Sequence, residues 1–270
     1  MRRLILSLFI VVVVLFSIGP FVWILSSSVK SPNMIAERPP TVFPDFDLES
    51  YRSTFGEHQF LRYVGNSAIV AGLTTIIAVL VAVLAAYPLA RMRMRWRKGV
   101  LSLVLVASMF PQIAIAGGVY RLLLKLGLLN TYPGLVLPYT ALTLPLAIWI
   151  LTSFFKEIPP DLDDSAKIDG CGPVATMWRI FVPVAAPAVF TTAILVFIYA
   201  WNEFFFALLI MTNPSVQTLP VGIAKFPGEY MVPWGQLAAA AVVATIPLVI
   251  LVLVLQRRII SGLTAGAVKG

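Results

Sequence analysis

The sequence predicts an all-α membrane protein with six transmembrane helices. Of its 270 residues, 59% are hydrophobic and only 12% are charged, whereas soluble chains carry about a quarter charged residues. The apolar residues are gathered in long runs, each with room for the ~20 residues that cross a hydrocarbon core. A single transmembrane domain over residues 1–270 accounts for this composition.

Six apolar runs are expected to cross the membrane: residues 4–28, 63–90, 100–118, 133–155, 186–211 and 237–255. The first follows Met1-Arg2-Arg3 and imitates a signal peptide, but it is too long for one and no small-residue cleavage site follows it. We therefore predict that it is retained as a helix. The segments 30–60 and 213–235 are predicted external loops.

The orientation follows from the basic residues, because loops rich in Lys and Arg stay on the cytoplasmic side. Six spans place both termini on one side, together with thirteen of the twenty Lys and Arg residues. These thirteen are Arg2, Arg3, Arg91, Arg93, Arg95, Arg97, Lys98, Lys156, Lys167, Arg179, Arg257, Arg258 and Lys269. We expect cytoplasmic termini, a cytoplasmic loop at 156–183 and a cytoplasmic tail at 257–270.

The loop 156–183 has the pattern of two short helices joined at a glycine. Pro159-Pro160 precedes the first helix, and Pro173 is suited to the first position of the second. Gly170 lies where a left-handed residue is expected to end the first helix. On that helix one face combines mainly small side chains, which would let another protein approach closely: Leu162, Ser165, Ala166 and Asp169.

Residues for enzyme chemistry are scarce. The lone Cys171 excludes an internal disulfide or a cysteine metal cluster, and the single histidine, His58, lies in a predicted external loop. No G-x-x-x-x-G-K-[ST] sequence occurs, so the chain has no loop that binds ATP phosphates. We predict no catalytic residue, no metal ligand and no cofactor, and the net charge of +8 is explained by the membrane rather than by nucleic acid.

Glu203 is the one ionisable residue of note inside a predicted span. A charge at mid-membrane costs about 2.5–3.5 kcal/mol on insertion scales, so it is expected to face a cavity or a partner. Tyr199, Asn202, Glu203 and Phe206 have the spacing of one helix face, and Gln112 after Pro111 is a further candidate. Two interpretations stay open: these residues line a translocation path, or they join neighbouring helices through hydrogen bonds.

The loop 156–183 resembles the EAA loop of ABC importer permeases, whose pattern is EAA-x-x-DGA followed by I-x-x-P. The matching residues are Asp164-Ser165-Ala166, Asp169-Gly170-Cys171, Ile180 and Pro183. Asp164, Ser165 and Cys171 depart from the pattern, and Met177 occupies the usual place of an aromatic residue. The resemblance implies that a separate ATPase contacts this loop. The implied contact residues are Leu162, Asp164, Ser165, Ala166, Asp169, Gly170, Met177 and Pro183.

The resemblance extends over nearly the whole chain, to the second permease subunit of carbohydrate ABC importers. It rests on residues 66–93, 127–132 (GLLNTY), 200–206, 217–222 (QTLPVG) and 262–270. It implies a type I importer permease fold in a bacterial or archaeal inner membrane. The implied partners are a homologous F-type permease, an ATPase dimer that holds ATP and magnesium, and an external sugar-binding protein.

Two further sets of contact residues follow from this resemblance. The tail, with Gly262, Gly266, Lys269 and Gly270, would contact the ATPase. The loop tip Pro227-Gly228-Glu229-Tyr230 would probe the binding protein, and an α-linked disaccharide such as trehalose or maltose is the expected substrate. The alternatives are a channel or ion-coupled carrier that works alone, and a membrane-anchored assembly protein.

Overall fold

In the computed structural model, residues 2–37, 39–57, 59–92, 94–226 and 232–265 are described, and these residues contain helices but no strand. The first seven helices are α1 (Arg2–Ser28), α2 (Pro32–Ala36), α3 (Glu49–Glu57), α4 (Phe60–Arg91), α5 (Arg97–Ser108), α6 (Gln112–Lys125) and α7 (Tyr132–Glu157). The next seven are α8 (Asp161–Ile168), α9 (Pro173–Thr176), α10 (Val182–Val184), α11 (Ala186–Asn202), α12 (Phe205–Ile210), α13 (Leu219–Ala224) and α14 (Trp234–Ala265). A π-helical turn, Met177–Phe181, joins α9 to α10.

Four helices within the described residues are long and apolar enough to cross a membrane: α1, α4, α7 and α14. The count rises to six if each of two bent helix pairs forms one span. The predicted all-helical membrane fold is confirmed at this level. The predicted spans 4–28, 63–90 and 133–155 lie within α1, α4 and α7, whereas α14 begins at Trp234, before the predicted start of the sixth span at 237, and continues past its predicted end at 255.

The predicted third span, 100–118, is not one continuous helix. Its residues are divided between α5 and α6, which are bent by 92° relative to each other. Pro111 precedes α6 with an extended conformation (φ −66°, ψ 132°). A proline has no N–H for the helical ladder and disfavours helix at the residue before it, so α5 cannot continue into α6.

The predicted fifth span, 186–211, is also interrupted. Helix α11 ends at Asn202, Glu203 is extended (ψ 125°), and α12 begins at Phe205. Sequence periodicity alone does not reveal this break, because the residues on both sides of it are apolar and helix-compatible. The Glu203 side chain lies at this break and accepts hydrogen bonds from backbone N–H groups of α12.

Two compact units are formed by the chain: Met1–Val64 with Leu219–Val249, and Gly65–Thr218 with Ile250–Gly270. In the first unit the ring of Phe60 packs edge-on against Phe55 and Phe226, at centroid distances of 5.4 and 6.2 Å. Helix α13 lies so close to α4 that a Cβ on Gly222 would stand 2.2 Å from the ring of Tyr63.

The core of the second unit lies between α4, α7 and the segment that follows α8. Ala78, Ala82 and Ala86 of α4 are fully buried, and their spacing of four residues forms a stripe of small side chains along which another helix approaches closely. Larger side chains fill the same core: Tyr87, Leu151, Phe155, Met177 and Phe181. This core supports the loop 156–183 from the membrane side.

Candidate coupling site

The coupling segment, residues 161–183, begins with α8 and a tightly closed helix end. The N–H of Cys171 donates to the carbonyl of Ala166 (2.8 Å) and that of Gly170 to the carbonyl of Lys167 (3.1 Å). This pair of bonds is the Schellman motif, which requires a left-handed residue, and Gly170 supplies it with φ +75°. Pro173 is the first residue of α9. The predicted two-helix pattern is therefore confirmed.

Arg91, the last residue of α4, joins the coupling segment to the membrane helices. Its guanidinium makes five hydrogen bonds: Nε donates to Asp163 Oδ2 (2.7 Å), Nη2 to Asp163 and to the carbonyl of Pro159 (3.3 Å), and Nη1 to the carbonyls of Ile158 (2.9 Å) and Phe155 (3.4 Å). A guanidinium has five N–H donors, so all of them are used.

These bonds join groups that need a cation. The last carbonyls of a helix lack partners within the helix and attract positive charge, and α7 ends beside Arg91 with such carbonyls. Asp163 lies in the first turn of α8, where a carboxylate is favourable. The Arg91 side chain is 10% exposed and that of Asp163 is 19% exposed. One side chain therefore fastens the end of α4 to the end of α7 and the start of α8.

An aromatic layer lies beneath the guanidinium. The ring of Phe181 is 4.9 Å from Arg91 Cζ, a distance at which cation–π attraction operates. Tyr87 and Phe155 pack edge-on against Phe181 at 5.2 and 5.9 Å. The return of the coupling segment to the membrane is thus held by the same arginine as its beginning. We call Arg91, Asp163, Tyr87, Phe155 and Phe181 the Arg91 cluster.

The exposed side of α8 combines charged residues with an apolar one. Asp164 and Lys167 form an ion pair at 2.9 Å, with side chains 71% and 72% exposed. Their hydrogen bond lowers the pKa of Asp164 and raises that of Lys167, so both are charged at neutral pH. Ile168 beside them is 86% exposed. Such a mixed surface suits a protein partner better than lipid.

The predicted docking face of α8 needs correction. Ala166 is 1% exposed and Leu162 packs against the apolar core, because these two positions are one helical turn apart on the inner side of an amphipathic helix. Met177 is also buried, at 3%. Ser165, Asp169 and Pro183 are exposed. The face available to a partner is therefore Asp164, Ser165, Lys167, Ile168 and Asp169.

Glu203 does not share a helix face with Tyr199 and Phe206, contrary to prediction. It is 7% exposed and accepts hydrogen bonds from the N–H groups of Phe206 (3.0 Å) and Ala207 (3.3 Å) and from the hydroxyl of Tyr139 (2.5 Å). The carboxylate thus satisfies the first free N–H groups of α12. Of the two interpretations of Glu203, the geometry supports the structural one.

The other polar residues near this break are differently placed. Gln112, the first residue of α6, donates to the hydroxyl of Tyr199 (2.5 Å), and both side chains are half-buried. Asn202 is exposed and donates only to the carbonyl of Ile198 within its own helix (2.8 Å). Phe206 is fully buried. Asn202 is therefore the member of the predicted path that still presents a polar group outward.

Several predicted contact residues cannot be placed. Pro227, Gly228, Glu229 and Tyr230 of the loop tip, and Gly266, Lys269 and Gly270 of the tail, lie outside the described residues, as does His58. Gly262 lies near the end of α14. Within the described part of the chain no group of three or more His, Cys, Asp or Glu is arranged to hold a metal.

Comparison with protein families identifies residues 65–264 as a match to the binding-protein-dependent transport system inner membrane component. The chain belongs to this family. The predicted relationship to ABC importer permeases is confirmed, and the chain is a multi-pass inner membrane permease subunit of an ABC transporter. The permease is not itself the ATPase, since ATP is used by a partner subunit in this family.

Three curated relatives are similar to this permease over almost its whole length. The trehalose/maltose transport system permease protein MalG of Thermococcus litoralis is 43% identical over 100% of this chain and 98% of its own. The sulfoquinovosyl glycerol transport system permease protein SmoH of Agrobacterium fabrum is 42% identical (93% and 88%). The trehalose transport system permease protein SugB of Mycobacterium tuberculosis is 40% identical (96% and 94%).

A solved structure confirms the fold. The permease matches a chain of a bacterial ABC transporter involved in the import of the acidic polysaccharide alginate, with a TM-score of 0.82, 20% identity and coverage of 95% of both chains. A second structure of the alginate transporter, in complex with an alginate pentasaccharide-bound periplasmic protein, matches with a TM-score of 0.70 and 16% identity.

Arg91 and Tyr139 were not identified as site residues from the sequence. Arg91 entered only as one of the thirteen basic residues that orient the membrane spans. The available signal was its position, as the first of the basic residues between 91 and 98 and directly after an apolar span. Tyr139 gave no signal, because a tyrosine in an apolar run is compatible with ordinary packing.

Proposed function

We propose that this permease forms half of the translocation path of an ATP-driven sugar importer and transmits the ATPase movement through the coupling segment 161–183. The observation that supports this most directly is the Arg91 cluster. A short helix with an exposed charged and apolar face is fastened to the ends of two long membrane helices by a part-buried ion pair and by hydrogen bonds to backbone carbonyls. A push on that face would reach α4 and α7 without being absorbed by a flexible loop.

The proposed partners are a homologous F-type permease, two copies of an ATPase and an external sugar-binding protein. The ATPase would hold ATP and magnesium and would contact α8 and the tail 262–270. ATP binding would close the ATPase dimer, draw the two coupling segments together and shift the membrane helices from inward- to outward-facing. The loop 213–235, with its tip at 227–230, would approach the binding protein.

The orientation belongs to this proposal. Both termini and the coupling segment would be cytoplasmic, in agreement with the thirteen basic residues assigned to that side. The opposite ends of α4 and α7 would then face the exterior.

The proposed substrate is an α-linked disaccharide such as trehalose or maltose. Two relatives, at 43% and 40% identity, are named for trehalose transport, and the first of them is also named for maltose. A third relative, at 42% identity, is named for sulfoquinovosyl glycerol transport. All three names describe glycosides, which supports a glycoside-sized path. In this permease, the exposed Asn202 would contact the path, and the half-buried, hydrogen-bonded Gln112 and Tyr199 would contribute to it.

The proposal is tested by purifying the tagged permease from its own membranes with the subunits that remain bound to it. We expect an ATPase and a second permease to copurify. In reconstituted vesicles, ATP hydrolysis should rise when binding protein loaded with trehalose or maltose is added. If ATP hydrolysis rises only when the binding protein is loaded with sulfoquinovosyl glycerol, the proposed substrate is wrong. Transport without any ATPase would contradict the proposed function.

A further inference from the structure

Three stretches of sequence meet near the start of α4, and the proposed function assigns no role to the contacts among them. They are Asn66 of α4, the loop 127–132 between α6 and α7, and the segment 211–217 that follows α12. Asn66 is 4% exposed and Gln217 is 1% exposed. We call Asn66, Asn130, Tyr132 and Gln217 the outer cluster.

Asn66 is the centre of this cluster. Its Nδ2 donates to the carbonyls of Gln217 (2.8 Å) and Ser215 (3.1 Å), and its Oδ1 accepts from the hydroxyl of Tyr132 (2.7 Å). Both amide hydrogens and the carbonyl oxygen of the side chain are therefore used. One residue of α4 thus holds both the segment 211–217 and the first residue of α7.

The loop 127–132 adds a second attachment for the same segment. Asn130 adopts a left-handed conformation (φ +58°), and its Oδ1 accepts from the N–H of Asn213 (2.8 Å). Gln217 donates back to the carbonyls of Met211 (3.1 Å) and Thr212 (3.3 Å). The segment is thereby closed on itself and attached on two sides, while Asn213 and Pro214 remain exposed.

The same two helices are joined again at their other ends. Asn66 and Tyr132 join the starts of α4 and α7, and Arg91 and Ile158 join their ends. Asn66 and Arg91 are 25 residues apart, about 38 Å along a helix at 1.5 Å per residue. Helices α4 and α7 therefore run in the same direction, with a polar attachment at each end and the apolar core between.

We propose that Asn66 is a positioning residue that fixes the segment 211–217 to α4 and α7, so that a displacement of the coupling segment reaches the surface around Asn213. The inference rests on the proposed function, because it takes that surface to be the side on which the binding protein arrives. Beyond the proposed function, the inference states that the attachment at Asn66 is linked to the coupling segment, which contacts α4 at Arg91 about 38 Å away along the helix.

The test compares two variants with a control in the same helix. Asn66→Leu keeps the number and branching of the side-chain heavy atoms and removes three hydrogen bonds, and Tyr132→Phe removes one. Thr75→Val is the control, since its hydroxyl donates only to the carbonyl of Ala71 one turn earlier (2.7 Å). The assembled transporter is measured by amide hydrogen exchange of residues 211–217 and by basal and stimulated ATP hydrolysis.

We expect exchange in 211–217 to become about tenfold faster in Asn66→Leu and to increase less in Tyr132→Phe. Exchange in 161–172 should be unchanged. Basal hydrolysis and the amount of bound ATPase should stay at the wild-type level, while stimulation by sugar-loaded binding protein falls by about fivefold or more. Thr75→Val should match the wild type in every measurement.

Unchanged exchange would overturn the positioning role of Asn66. Faster exchange with normal stimulation would overturn its part in transmission, and the proposed function would stand. A wild-type transporter that shows no stimulation would contradict the proposed function and this inference together. If Asn66→Leu fails to reach the membrane, Tyr132→Phe decides between the same results.

Discussion

Arg91 holds four pieces of chain together because a guanidinium presents five N–H donors in a fixed planar arrangement. A lysine has three donors on a point charge and could not reach Asp163 and the carbonyls of α7 at the same time. The ring of Phe181 beneath it at 4.9 Å further favours a flat cation. The identity of this residue therefore matters beyond its charge.

Arg91→Lys is expected to weaken the attachment of α8 while the permease still inserts in the membrane. Loss of the paired geometry around the largely buried Asp163 costs about 2–4 kcal/mol, enough to loosen the coupling segment. Retention of the ATPase and stimulated hydrolysis should both fall about tenfold or more. Arg95→Gln is the matched control, since Arg95 is exposed and forms no ion pair within the described residues. Wild-type behaviour of Arg91→Lys would mean that only basic charge is needed here, and an equal loss in Arg95→Gln would mean that the effect is not specific to Arg91.

Glu203 illustrates how a residue of functional appearance can have a structural task. Its carboxylate accepts two backbone N–H groups of α12 and the Tyr139 hydroxyl. From the sequence, a lone charge in an apolar span predicted either a path or a structural role. Only the position of Tyr139, 64 residues away, could decide between them.

Glu203→Gln is expected to reduce the amount and thermal stability of the permease in the membrane. The neutral amide keeps one acceptor oxygen but turns its NH₂ toward a donor, which leaves a buried group unsatisfied at a cost of about 1–3 kcal/mol. Asn202→Ala should leave stability unchanged and lower sugar uptake, because Asn202 is exposed. Normal accumulation of Glu203→Gln with reduced uptake would return Glu203 to the translocation path.

At the scale of single elements, α8 follows directly from its sequence. Three acidic residues fill its first turn and Lys167 its last, which complements the helix dipole. Gly170 ends the helix and Pro173 starts the next, so both boundaries were predictable. The direction in which α8 faces was not, because Leu162 and Ala166 are buried only once the core around Met177 exists.

Gly170→Val should damage coupling more than any nearby substitution of similar size. A side chain at φ +75° is strained by about 1–2 kcal/mol, and a β-branched one by more, so the Schellman end of α8 would open and tilt the exposed face. Gly172→Ala is the control, since Gly172 has an ordinary φ of −73° and open space around its Cβ position. We expect stimulated hydrolysis to be abolished in the first variant and near normal in the second.

The two broken spans mark where sequence patterns are least informative. Pro111 gave a local signal for the bend between α5 and α6, although hydropathy joined them into one run. The break at Glu203 depends on a distant partner and on N–H groups that become free only after the helix has opened. Hydropathy predicts which residues avoid water, and it does not predict which backbone bonds a buried side chain replaces.

For the whole molecule, composition determines most of what can be predicted. A charged content of 12% and long apolar runs lead to a helical membrane protein, and the EAA resemblance leads to the family. The Arg91 and outer clusters could not be predicted, since the hydrogen bonds of Arg91 to the coupling segment and α7 join residues 64 to 72 positions apart, and those of Asn66 join residues 66 to 151 positions apart.

The proposed orientation is tested with the single cysteine. Cys171 is partly exposed at the end of α8, so a membrane-impermeant thiol reagent should not label it in intact cells. The same reagent should label it in inverted vesicles from which the ATPase has been removed. Labelling from outside would reverse the orientation and remove the coupling segment from the ATPase side.

The central claim is that the outward face of α8 contacts a separate ATPase. A photo-activated cross-linker at Ile168, which is 86% exposed, tests it directly in the assembled transporter, with cross-linkers at the exposed Pro214 and in place of the buried Ala166 for comparison. We predict covalent capture of the ATPase from position 168 and none from position 214, with little or none from position 166. Capture of only lipid or another permease from position 168, with the ATPase still bound, would contradict the claim.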